Sequence, residues 1–133
     1  MKSDHHKIIY WVPRILAILF ILFLAMFSLD VFDLHMGFWQ TIVGLFMHNI
    51  PALILLIVLI ISWKYEIVGG IAFILAGLLY IVLLAINSII NGFEWYYLTW
   101  PLPISGPAIL IGILFLLNWR IKKINNYKLK PTI

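Results

Sequence analysis

Residues Trp39–Trp63, WQTIVGLFMHNIPALILLIVLIISW, decide the fold of this chain. The stretch contains no Asp, Glu, Lys or Arg, and its apolar residues run on without the alternation that a half-buried strand would show. As a helix rising 1.5 Å per residue it is about 36 Å long, close to the hydrocarbon core of a bilayer plus its interfaces. A tryptophan stands at each end, where an indole can bury its ring and keep its N–H near water. The expectation is a membrane-crossing helix.

Working outward, three further apolar stretches cover about Val12–Phe32, Ile67–Ile90 and Pro101–Ile121. Each is continuous over about 20 residues, whereas barrel strands are about 10 residues of alternating polarity. The whole chain follows the same pattern: it is 65% hydrophobic and 11% charged, against roughly 45–50% and about 25% in soluble domains. Its mean hydropathy is +1.11. The links Asp33–Phe38, Lys64–Glu66 and Asn91–Trp100 are short, which implies antiparallel neighbours. The predicted fold is therefore an all-α membrane protein, with four transmembrane helices in an up-down-up-down bundle. It forms one transmembrane domain over residues 1–133, with helices at about 12–32, 39–63, 67–90 and 101–121 and a basic tail at 122–133. A start with Lys2 and Lys7 before an apolar run resembles a secretory signal, but cleavage is not expected. The small residues Ala25 and Ser28 are crowded by Phe23, Met26, Phe27 and Leu29.

Charge sets the orientation. The nine Lys and Arg residues are Lys2, Lys7, Arg14, Lys64, Arg120, Lys122, Lys123, Lys128 and Lys130, and the first and third links hold none of them. By the positive-inside rule both termini are cytoplasmic, and the loops with Asp33 and Glu94 are outside. Trp11, Trp63 and Trp119 then mark the inner boundary, and Trp39, Trp95 and Trp100 the outer one. Confinement of the cations to membrane-flanking positions points to anionic lipid headgroups rather than nucleic acid as their partner. With no cysteine, disulfides and thiolate metal sites are excluded.

Proline and small residues add detail. Pro13 is expected in the first turn of its helix and Pro51 inside the second span, where it removes a hydrogen bond and bends the helix. Pro101, Pro103, Gly106 and Pro107 predict an extended entry to the fourth span, capped by Ser105. Gly69, Ala72 and Ala76 on the third helix, and Ala108 and Gly112 on the fourth, form close-packing faces.

Few polar residues are placed to carry an activity. Arg14 lies about one turn within the first apolar span, where it can either snorkel to lipid phosphate or form a structural ion pair with Glu66, at the same level at the start of the third. Asp30 sits at the other end of the first helix, and His48 lies about 13 Å below Trp39 with Asn49 beside it. Asn87 and Asn91 share a helix face. Together Asp30, His48, Asn49, Asn87 and Asn91 define a candidate polar path, in which histidine would supply proton exchange near neutral pH. Paired to backbone carbonyls or solvent instead, the same residues are merely tolerated. No metal-ligand spacing, nucleotide-binding loop or hydrolase motif is present, and neither a cofactor nor enzymatic catalysis is expected.

The strings Trp11-Val-Pro-Arg14, Ser28-Leu-Asp-Val-Phe32, His48-Asn-Ile-Pro51 and Trp63-Lys-Tyr-Glu66-Ile-Val-Gly-Gly70 resemble a family of small bacterial four-helix membrane proteins of unknown function. The resemblance implies a multi-pass protein of the bacterial inner membrane and supplies no activity. Small multidrug resistance transporters have a comparable length but use a glutamate in the middle of the first helix, where this chain has none. The functional expectation is an accessory or scaffold protein with a protein partner or a homo-oligomeric state. The alternative is a small-solute or ion transporter using the polar path.

Overall fold

The computed structural model describes residues 2–99 and 101–129, with side chains from Asp4 onward; Trp100, Lys130 and the side chain of Lys2 lie outside the described residues. Four long helices dominate: α1 (Lys2–Met26), α2 (Phe38–Ser62), α3 (Glu66–Asn91) and α5 (Pro101–Lys128), with a single turn, α4 (Tyr96–Thr99), in the last link. All four long segments are long and apolar enough to cross a membrane. Going round the bundle the order is α1, α2, α3, α5, so that α1 and α3 stand at opposite corners.

The closest approach is between α3 and α5. A Cβ on Gly112 would come within 2.7 Å of Gly70 O and 2.9 Å of Ile74 N, and one on Gly77 within 3.1 Å of Ser105 O. Gly70 faces Gly112 and Gly77 faces Ser105, so small residues one heptad apart bring the two backbones together. This seam uses Gly70 and Gly77 rather than Ala72 and Ala76, which are only half-buried. Gly69 is set against Ser62 of α2 instead. Phe73 and Phe115 stack across the seam, with centroids 6.1 Å apart and both rings fully buried. Ala17 and Phe20 of α1 and Leu55 and Leu59 of α2 complete the core.

Several helix ends differ from the sequence expectation, each for a local reason. Helix α1 starts at Lys2, with Asp4 in its first turn complementing the helix dipole, so Pro13 lies in the helix interior. From Phe27 to Leu34 the first span tightens into a 3-10 helix. Its three-residue repeat puts Ser28 and Val31 on the buried side and leaves Asp30 exposed. Val31 fills the space over Gly44, where a Cβ would lie 2.9 Å from Val31 Cγ1. Helix α5 replaces the expected extended entry: Pro101 and Pro103 occupy its first turn, where no N–H is required. Ser105 is therefore inside a helix rather than a cap. The same helix continues through the expected tail to Lys128, a basic residue in its last turn that suits the dipole.

Candidate functional site: a buried charge cluster and its cavity

Among the described residues, six polar side chains are buried beside the apolar core, while many large apolar side chains face outward. Arg14, Ser28, Ser62, Glu66, Ser105 and Asn118 are buried, whereas large apolar side chains such as Phe46, Ile60 and Ile89 are exposed. Four of the buried polar residues, Arg14, Ser62, Glu66 and Asn118, belong to the end of the bundle where α2 turns into α3.

Arg14 comes from α1 and Glu66 from the first position of α3. Arg14 Nη2 donates to Glu66 Oε1 at 3.0 Å, with the two side chains 0% and 3% exposed. Because α1 and α3 occupy opposite corners, only long side chains meet between them. The guanidinium also donates from Nη1 to Tyr10 O, one turn back in its own helix. Its carbon lies 3.5 Å from the Tyr10 ring centroid, 5.5 Å from that of Trp63 and 5.7 Å from that of Phe115. Aromatic faces thus replace water around the cation, an arrangement suited to a planar guanidinium more than to an ammonium.

On the acidic side, Asn118 Nδ2 of α5 donates to the same Glu66 Oε1 at 3.0 Å, and Lys122 Nζ lies 4.0 Å from it. One carboxylate oxygen therefore joins α1, α3 and α5. Ser62 of α2 turns its hydroxyl to Val58 O of its own helix and packs on Gly69. Trp11 and Trp63 meet edge to face at 5.9 Å on the rim of this end.

A cavity of about 300 Å³ opens beside Glu66, lined also by Lys64, Trp119, Lys122, Lys123 and Asn126. Lys123 Nζ lies 5.1 Å from the Trp119 ring.

The residues of the candidate polar path are not joined. Asp30 is exposed. His48 is exposed and its Nδ1 donates to Gly44 O of its own helix at 2.9 Å. Asn49, half-buried, donates to Leu45 O at 2.9 Å in the same way. Asn91 donates to Asn87, which in turn donates to the Tyr97 hydroxyl at 3.3 Å, so these two form a separate cluster. The cavities flanking Pro51 are lined by apolar groups such as Leu55, Ala76, Leu79 and Ile104, together with Tyr80. Among the described residues no three His, Asp or Glu side chains gather as a metal site would require.

Asn118 joins the cluster without a motif to mark it. The signal for it is a lone amide between Leu117 and Trp119, on the helix face of Ile111 and Phe115.

A family model described as a domain of unknown function, DUF7670, matches residues 1–127. The chain belongs to this family. Every residue of the charge cluster and its cavity falls within the DUF7670 match. No curated protein and no solved structure matches the chain.

Proposed function

We propose that this DUF7670 chain is a multi-pass integral membrane protein of the bacterial inner membrane that serves as a non-enzymatic accessory or scaffold component. Its four helices run up-down-up-down with both termini cytoplasmic, and the Arg14–Glu66–Asn118 cluster is the clamp that holds the cytoplasmic end together. The observation that carries this reading is the apolar exterior of four long helices, with large side chains such as Phe46, Ile60 and Ile89 exposed around a core that also holds the paired Arg14 and Glu66. In water such a surface would be an aggregation hazard, whereas in lipid it is the favourable arrangement. The seam register, with Gly70 on Gly112 and Gly77 on Ser105, supports opposite chain directions for α3 and α5. The buried charged groups are engaged with one another, which suits a structural role better than a reactive one.

The test is co-purification. Solubilised in mild detergent, the full chain is expected to leave the membrane fraction with a defined partner or as a defined oligomer. An inert monomer whose stability is unchanged by Glu66→Gln would count against the proposal.

A further inference from the structure

We infer that the cavity beside Glu66 is a binding site for the phosphate group of an anionic membrane lipid. The inference rests on the membrane reading above and deepens it, by assigning a site where charge bias alone implies only a diffuse attraction.

Charge is the first argument. Lys64 from the α2–α3 turn and Lys122 and Lys123 from α5 line one cavity of about 300 Å³. The acidic residue there is Glu66, and its Oε1 already receives Arg14 and Asn118 at 3.0 Å each. Lys122 at 4.0 Å from that oxygen is the most distant of these three groups, and its side chain is 62% exposed. The lining therefore keeps an excess of positive charge after the internal pairing is counted. A compact phosphate suits it, since ammonium groups on flexible stems act as movable point charges.

Backbone polarity acts in the same direction. Glu66 and Ile67, the first residues of α3, line the cavity, and the preceding Tyr65 makes no side-chain cap hydrogen bond. The first N–H groups of a helix lack intrahelical acceptors and carry the positive end of its dipole, which favours an anion there.

Position selects a lipid over a free phosphate. Trp119 lines the cavity half-buried, and Trp63, which precedes Lys64, is exposed together with Ile60 and Ile61 of α2. An exposed indole next to exposed aliphatic surface marks the level at which headgroups lie. A phosphate held by Lys64, Lys122 and Lys123 would have its acyl chains beside the apolar sides of the helices.

The experiment is native mass spectrometry of the full chain in mild detergent, with phosphatidylglycerol and phosphatidylcholine added in equal amounts. Preferential retention of phosphatidylglycerol is expected, weakened about tenfold or more in the triple variant Lys64→Gln, Lys122→Gln, Lys123→Gln. A control triple, Lys7→Gln, Arg120→Gln, Lys128→Gln, removes the same charge from outside the cavity and should retain the lipid as the parent does. Equal losses in the two triples, or equal retention of both lipids, would overturn the inference alone. Inorganic phosphate binding as well as phosphatidylglycerol would overturn the lipid assignment. Retention of neither lipid would overturn it together with the membrane reading.

Discussion

Arg14 Nη2 and Glu66 Oε1 lie 3.0 Å apart, and they join two helices, α1 and α3, that stand at opposite corners of the bundle. The core between these corners is mainly apolar, with the Phe115 ring centroid 5.7 Å from the guanidinium carbon. Removing water from both charges carries a large penalty, offset only while the partner and the surrounding hydrogen bonds remain. The cluster is therefore a point at which single substitutions have large consequences.

Asn118 supplies one of the two short hydrogen bonds to Glu66. Asn118→Leu leaves the ion pair in place and removes that donor, so a loss of about 1–2 kcal/mol is expected in thermal unfolding of the solubilised protein. Asn118→Asp places a second carboxylate against the first and should be worse than the leucine variant.

At the α3–α5 seam a Cβ on Gly112 would meet the Ile74 side chain and also two backbone atoms, Gly70 O and Ile74 N, which cannot swing away. Gly112→Val should destabilise by about 1–3 kcal/mol through overpacking. Gly106 lies in the same helix with nothing within 4 Å of its Cβ position. Gly106→Ala is expected to leave stability unchanged or raise it by up to about 1 kcal/mol, through helix propensity alone.

His48 is exposed and bonded within its own helix. His48→Ala should alter stability by no more than about 0.5 kcal/mol. Proteoliposomes of the parent chain are expected to show no pH-dependent flux of ions or small solutes; a flux abolished in His48→Ala would transfer the functional centre to this residue.

The chain has no cysteine, so single cysteines report topology without background. In intact cells Asp33→Cys and Glu94→Cys should react with a membrane-impermeant maleimide, and Lys64→Cys and Lys123→Cys only after permeabilisation. The reverse pattern would contradict the proposed orientation.

Much of this was legible in the sequence because apolar length and charge are one-dimensional signals. The second and third spans fall within a residue of α2 and α3, since Trp39, Trp63 and Glu66 mark their boundaries. The level of Arg14 and Glu66 along the chain is legible, but the sequence leaves Arg14 a choice between lipid phosphate and Glu66, and the 3.0 Å contact depends on how α1 and α3 are rotated. What was missed depends on angle around a helix axis rather than position along it. The inward stripe of α2 passes through Leu45, Asn49 and Ala52, leaving His48 on its rim despite its depth. Gly70 and Gly77 lie one residue on from Gly69 and Ala76, so the two faces share a spacing and only the rotation of α3 about its axis selects the seam. The continuation of α5 through Lys122 to Lys128 was hidden by composition, because charged residues past an apolar span read equally well as a tail.

The central claim is that Arg14 and Glu66 act as one structural unit. A double-mutant cycle on thermal unfolding of the reconstituted protein, with Arg14→Met, Glu66→Gln and both together, tests it most directly. Each single change should cost about 3 kcal/mol or more by stranding a buried charged or polar partner. The double variant should cost clearly less than their sum, with a coupling above about 1 kcal/mol. Small, additive single effects of under about 0.5 kcal/mol would contradict the clamp.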